Sequence, residues 1–163
     1  MNTRMYLPII LSVLVFLPIS SFATVPILTT DQKNQYQQMV LTEVNQYRKS
    51  KGLNPLKLNS AITYQAKQHS NDMAAHKMPV GHQDFDKRVA HIQNHVTEFG
   101  GGAENVAIYK SSPHHVVEEW LKSPGHKSNI EGHYNLTGIG VAQDEKGWIY
   151  YTQIFIEDRQ AAV

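Results

Sequence analysis

The sequence of 163 residues contains no cysteine. A chain without cysteine can form no disulfide, no thiolate nucleophile and no cysteine metal site, so its fold depends on the hydrophobic core alone. The chain also lacks a strong excess of positive or negative charge, with 15 Lys+Arg against 14 Asp+Glu. This balance gives no electrostatic reason to bind nucleic acid, and we predict no nucleic-acid partner. The patterns GxSxG and HExxH are missing too, so standard serine hydrolase and zincin sites lack support.

A single long apolar run is present, and it lies at the N-terminus. It extends from Met5 to Ile19, follows Arg4, and precedes Ser21-Phe22-Ala23. This pattern is typical of a secretory signal peptide, residues 1–23, that is cleaved after Ala23. Because the run of about 15 residues is shorter than a bilayer span of about 20, we predict no membrane span after cleavage. The mature protein is then expected to be secreted or periplasmic.

The rest of the chain is long enough for one domain with its own core. We expect a linker at residues 24–34, one domain at residues 35–157 and a tail at residues 158–163, in a protein that is a monomer. Apolar residues at helical spacing predict a helix from about Asp31 to Lys51, a second from about Ser60 to His76, and a short third helix after Asp84.

The C-terminal part changes from helical spacing to the period of a strand. Two strands are predicted, from Leu136 to Val141 and from Trp148 to Ile156, joined by a hairpin turn at residues 144–147. The second strand, WIYYTQIFI, is apolar on both faces, which indicates a strand that is covered from two sides. The chain has its helices first and a hairpin last, and one strand of the hairpin is covered from both sides. This order of elements predicts an α/β sandwich.

The stretch from Gly100 to Asn129 is the strongest candidate for a functional site. It opens on three glycines before Glu104, and it ends with Pro124-Gly125-His126. Between them, Ser112-Pro113 favours the start of a short helix whose apolar face includes Trp120. A carboxylate and an imidazole, each beside a glycine turn and separated by one rigid element, form the pattern of a preorganised polar site.

Five motifs, taken in order, resemble the CAP superfamily. They are GHQDFDKRV (81–89), GGAENVA (101–107), VVEEWLKSPGHKSNI (116–130), GIGVA (138–142) and YYTQIF (150–155). The superfamily groups cysteine-rich secretory proteins, insect antigen 5 and plant pathogenesis-related proteins, whose common unit is the SCP domain, and the chain is most similar to its short, cysteine-free bacterial branch. The resemblance covers roughly Tyr36 to Ile156. It implies an α/β fold that is a three-layer α-β-α sandwich with a central, mostly antiparallel sheet.

The resemblance also implies a cleft with two histidines and two acidic residues. Its motifs match His82, Glu104 and His126 as the cleft and candidate catalytic residues. The cleft of the family is able to take a divalent metal such as zinc, which His82 and His126 would hold here. Neutral imidazoles suit zinc, and a nearby carboxylate could bind the ion or a water molecule.

The chain departs from the family pattern at the second acid. In longer members this acid lies between the tryptophan and the glycine-histidine motif, but here residues 121–125 contain none. Glu118 and Glu119 precede Trp120, and helical periodicity predicts that they face outward. Three of the four cleft residues can therefore be assigned.

Three functions follow from the resemblance, and whether the chain is an enzyme stays open. The first is a binding or interaction module for a small-molecule, lipid, peptide or cell-envelope ligand. The second is a metal-dependent hydrolase acting on a peptide or cell-wall substrate, with Glu104 as base or water-orienting group. The third is an envelope-structural protein with a vestigial cleft.

Structural roles compete with each of these assignments. Glu104 could bind backbone N–H groups of the glycine stretch, and a histidine after a glycine is often a hydrogen-bonded structural residue. His91 and His95 have the i,i+4 spacing of a chelating pair, although a solvated surface pair is favoured. The histidines for which no chemical companion is predicted are His69, His76 and His133.

Overall fold

The computed structural model describes residues 26–162, with side chains described up to residue 160. The predicted signal peptide, residues 1–23, lies outside this part of the chain. The described part contains five α-helices, four strands and a short 3-10 helix. They are α1 (Thr30–Ser50), β1 (Lys57–Leu58), α2 (Ser60–Ala74), α3 (Phe85–Gln93), β2 (Phe99–Tyr109), α4 (Pro113–Lys122), α5 (Pro124–Glu131), β3 (Leu136–Gln143), β4 (Ile149–Asp158) and the 3-10 helix Arg159–Ala162. None of these helices is long and apolar enough to cross a membrane.

The four strands form one sheet in the order β1-β3-β4-β2. β4 is antiparallel to both of its neighbours, and only the two-residue β1 pairs in parallel, with β3. Helices α2 and α3 cover one face of the sheet, and α1, α4 and α5 cover the other. The three-layer α-β-α sandwich with a mostly antiparallel sheet is therefore confirmed.

The strand β4 lies at the centre of this arrangement. Nearly all its side chains are buried, as its apolar pattern on both faces predicts. One face carries Tyr151 and Phe155 into a core with Trp120, while the other carries Ile154 and Ile156 against α2 and α3. The predicted hairpin turn is also confirmed, because the Asp144 N–H donates to the Trp148 carbonyl at 3.0 Å.

One helix and one strand extend beyond the predicted bounds of the domain. Helix α1 begins at Thr30, inside the range 24–34 that the sequence assigns to a linker, and Thr29 caps it through a capping box with Gln32. At the other end, Asp158 belongs to β4, inside the range predicted as a tail.

The glycine-rich segments do not form the turns that the sequence predicts. Gly100, Gly101 and Gly102 lie within β2, where the pairing with β4 shifts register between Phe99 and Gly101. A side chain at Gly100 would overlap the Glu157 carboxylate, so glycine permits this close approach. Gly125 lies in the first turn of α5, not in a turn between elements.

Two buried positions in the helices are occupied by arginine. In α1 the buried residue of the last turns is Arg48, whereas Tyr47 is only half-buried. In α3 the buried arginine is Arg88, whereas Val89 is half-buried. Both guanidinium groups reach buried polar partners, which replaces the apolar contact that periodicity alone predicts.

Candidate functional site

Glu104 is the centre of a buried polar network on the α2–α3 side of the sheet. It is 5 % exposed and lies on β2, the edge strand. Arg88 of α3 donates from Nε to Glu104 Oε2 at 2.9 Å and from Nη2 to Oε1 at 2.8 Å. A forked arginine–carboxylate pair of this kind fixes the position of both side chains.

His82 contacts the same carboxylate from the loop before α3. Its Nδ1 lies 3.0 Å from Glu104 Oε1, and because a carboxylate only accepts, Nδ1 carries the hydrogen. Nε2 is then the ring nitrogen with a free lone pair, on a side chain that is 54 % exposed. Arg88 also donates to the Gln83 carbonyl at 2.7 Å, so it fixes the loop that carries His82.

His69 is a buried member of this network that the sequence does not assign to the site. Its Nδ1 lies 3.6 Å from Glu104 Oε2 and 3.2 Å from Thr152 Oγ1, while Nε2 has no hydrogen-bond partner. Burial, helped by the positive charge of Arg88, lowers the pKa of His69 to about 4. His69 is therefore neutral at physiological pH, and the expectation that it has no chemical companion is wrong.

Burial also acts on Glu104, but its partners oppose the effect. Removal from water raises the pKa of Glu104, whereas the hydrogen bond from His82 and the charge of Arg88 lower it. Both carboxylate oxygens accept hydrogen bonds from these neighbours. Glu104 therefore acts as the fixed partner of a cation and an imidazole.

His126 approaches from the opposite layer, in the first turn of α5. Its ring lies 6.4 Å from that of Trp120, and its backbone carbonyl accepts from Asn105 Nδ2 at 3.1 Å. Asn129 of the same helix donates to the Glu104 carbonyl at 3.2 Å, which ties α5 to the edge of β2. Both asparagines therefore satisfy backbone carbonyl groups.

The two predicted histidines lie on opposite sides of the edge strand. Glu104 faces α2 and α3, while the next residue, Asn105, faces α5, because successive side chains alternate across a strand. Burial lowers the pKa of His126. We take the surface between His82 and His126, over the edge of β2, as the candidate cleft.

The donor set of the cleft does not complete a zinc site. Among the described residues, no group of three or more His, Asp and Glu side chains could hold a metal ion. Glu104 has both oxygens engaged, which leaves two imidazoles where a zinc site needs three or four protein ligands. Glu118 and Glu119 are partly exposed and pair with other surface groups, as their predicted outward position requires.

The structure also shows where Trp120 and the pair His91 and His95 lie. Trp120 is a core residue, 1 % exposed, whose Nε1 donates to the Val106 carbonyl at 3.4 Å. His91 and His95 are exposed, and His95 Nδ1 donates to the His91 carbonyl at 2.9 Å. They remain a surface pair, which is the interpretation that the sequence favours.

A family model, the cysteine-rich secretory protein family or CAP, matches residues 41–155 of the chain. The chain belongs to the CAP family. It is 32% identical over 126 residues to the "Uncharacterized protein YkwD" of Bacillus subtilis (strain 168), a match that covers 74% of the chain. The same match covers 47% of that protein, so the CAP domain described here spans about half the length of its curated relative.

Solved structures place the CAP domain among bacterial SCP domains. An extracellular protein containing an SCP domain from Bacillus anthracis is 26% identical with a TM-score of 0.66, covering 82% of the chain and 45% of that protein. A cysteine-rich secretory protein from Staphylococcus aureus is 27% identical with a TM-score of 0.65. The match covers 79% of the chain and 40% of that protein. An outer surface protein from Borrelia burgdorferi is 19% identical with a TM-score of 0.68. The match covers 78% of the chain and 96% of that protein, which shows a shared fold.

Proposed function

We propose that this CAP domain is a binding module that acts outside the cytoplasm and takes a peptide or cell-envelope ligand between His82 and His126. One observation carries the proposal. Glu104 holds His82 through Nδ1, so that the exposed imidazole presents a free Nε2 in a fixed orientation. His126, whose pKa is lowered by burial, supplies a second imidazole on the other side of β2. Two oriented imidazoles supply hydrogen-bond donors and acceptors for a polar ligand.

The geometry favours binding over hydrolysis. A general base must lie within hydrogen-bond reach of the proton that it removes. Both oxygens of Glu104 are engaged by Arg88 and His82, and the side chain is buried. Within the described residues, no hydroxyl group hydrogen-bonds to His82, so no serine or threonine is activated there as a nucleophile.

The location is proposed from the relatives and from the predicted signal peptide. The similar protein from Bacillus anthracis is an extracellular protein, and the one from Staphylococcus aureus is a secretory protein. We expect this chain to be exported in the same way. Fractionation of the source cells, followed by detection of the protein with an antibody, tests the location.

Retention on two matrices tests the binding function. Purified peptidoglycan and an array of synthetic peptides are incubated with the wild-type protein and with the double variant His82→Ala, His126→Ala. The matched control is His91→Ala, His95→Ala, which removes two exposed histidines outside the cleft. We expect the wild type and the control to bind one matrix equally, and the cleft variant to lose binding. Equal binding by all three proteins, or binding by none, would overturn the proposal.

A further inference from the structure

A second candidate site lies at the other edge of the sheet. A cavity of about 690 Å³ is lined by the loop after α1, residues 52–55, and by the segment between α5 and β3, residues 132–135. It lies beside β1, at the opposite end of the strand order from β2. His82, Glu104 and His126 do not line it. Its volume is in the range of small-molecule sites, which is roughly 300–1,000 Å³.

The wall of this cavity contains a buried guanidinium group. Arg48 extends from the last turn of α1 and is 2 % exposed. It donates from Nε to the Asn54 carbonyl at 2.9 Å and from Nη1 to the Ile130 and Gly132 carbonyls at 2.7 and 2.9 Å. Nη2 donates to the Tyr134 carbonyl at 2.9 Å.

Arg48 has no carboxylate partner in the described part of the chain. All its acceptors are uncharged carbonyls, and the second N–H of Nη2 has no acceptor among the described residues. Burial lowers the pKa of Arg48, yet a guanidinium stays charged at any physiological pH. A buried cation without a counter-ion is unfavourable, so an anion that reaches it gains attraction in a setting of low dielectric constant.

Other charged groups of the cavity favour the same ligand charge. Lys57 lines it and forms no ion pair within the described residues. Glu157 is the one carboxylate in the lining, and Arg159 lies 3.7 Å from it through Nε. Arg48 and Lys57 therefore give the lining two positive charges. Its one carboxylate, Glu157, is paired with Arg159.

We propose that this cavity binds an oxyanion, the carboxylate or phosphate group of a small ligand. The anion accepts from the free N–H of Arg48 Nη2 and from Lys57 Nζ, which are charge-assisted hydrogen bonds. The site is separate from the histidine cleft, and it stands whether or not the cleft binds a peptide or cell-envelope ligand.

Titration with two anions tests the site. Inorganic phosphate and succinate are added separately to the wild-type protein, while NMR follows the backbone amides and the Arg48 Nε–H signal. We expect saturable shifts at Arg48 and in residues 52–57 and 132–135 with at least one anion. Saturation by phosphate alone identifies a phosphate-bearing ligand, and saturation by succinate alone identifies a carboxylate. The absence of saturable shifts with both anions would overturn the proposal.

A matched pair of lysine variants separates a site from general attraction. Lys57→Gln removes a cation of the cavity, whereas Lys49→Gln removes an exposed cation of the same charge outside it. The loss of one charge-assisted hydrogen bond is expected to weaken anion binding about tenfold in Lys57→Gln, with no change in Lys49→Gln. Equal weakening in both variants, or in neither, would show that Arg48 only holds the surrounding loop carbonyls.

Discussion

Arg88 and Glu104 form a buried, forked ion pair that links α3 to the edge strand. The two hydrogen bonds measure 2.9 and 2.8 Å, and both side chains are at least nine-tenths buried. The same carboxylate orients His82, and the same guanidinium holds the Gln83 carbonyl. One ion pair therefore fixes both the loop and the imidazole of the cleft.

Removal of one member of this pair is expected to destabilise the fold strongly. Arg88→Met leaves Glu104 buried without its cation, which costs about 3–5 kcal/mol in free energy of unfolding. Urea denaturation measures the change. The control is Lys87→Gln, which breaks the exposed pair with Asp84 and is expected to change nothing measurable. Equal midpoints for the two variants would show that the buried pair does not hold α3 in place.

The lowered pKa of His69 predicts that stability falls in weakly acidic solution. The pKa is about 4 in the folded state against 6.5 in the unfolded chain, so the unfolded state binds the proton first. Stability is therefore complete above pH 6.5 and decreases as the pH falls toward 4, by roughly 3 kcal/mol in total. The raised pKa of Glu104 acts in the opposite direction.

The difference between two denaturation series isolates the contribution of His69. The wild-type protein and His69→Gln are unfolded in urea at intervals from pH 4 to pH 7. We expect the wild type to lose more stability than the variant between pH 6.5 and 4. Parallel curves would contradict a neutral, buried His69.

Two glycines are expected to respond in opposite directions to the same substitution. A Cβ at Gly140 would overlap the Ala66 carbonyl of α2, so Gly140→Ala is expected to separate α2 from the sheet and destabilise the domain. A Cβ at Gly125, in α5, meets nothing within 4 Å. Gly125→Ala is expected to stabilise the helix by about 0.5–1 kcal/mol. Thermal unfolding midpoints test both, and a destabilising Gly125→Ala would indicate an essential glycine backbone at the start of α5.

Zinc binding by the cleft is expected to be weak. His82 and His126 offer two imidazoles, and Glu104 is engaged by Arg88. In calorimetry with zinc chloride we expect weak binding that the double variant His82→Ala, His126→Ala removes and that His91→Ala, His95→Ala retains. Sub-micromolar binding would show instead that Glu104 leaves Arg88 to complete the metal site.

The layers of the fold could be predicted because they depend on patterns of apolar residues. The doubly apolar strand Ile149–Asp158 predicts a covered sheet, and the alternation after Leu136 predicts its hairpin partner. The start of β2 could not be predicted, since Gly100 and Gly101 suit a turn as well as a strand. Only the pairing with β4, and the close approach of Glu157 to Gly100, decides between them.

The sequence predicts three residues of the site, but it does not predict the hydrogen bonds that connect them to their buried neighbours. Motifs identify His82, Glu104 and His126, whereas Arg88 and His69 are buried helix residues to which the sequence assigns no role in the site. The buried positions of α2 include both His69 and Ser70, and two adjacent polar residues there were the available signal for a polar cluster. Their common partner lies on another element, Thr152 of β4, which sequence spacing does not reveal.

We propose that the cleft binds a ligand without cleaving it, because Arg88 and His82 hold Glu104. The test measures the release of new amino groups from the peptidoglycan or peptide that the wild-type protein retains. We expect no release above that of the His82→Ala, His126→Ala variant over prolonged incubation. Release by the wild type that Glu104→Gln abolishes, in a variant that remains folded, would contradict the account and establish a hydrolase.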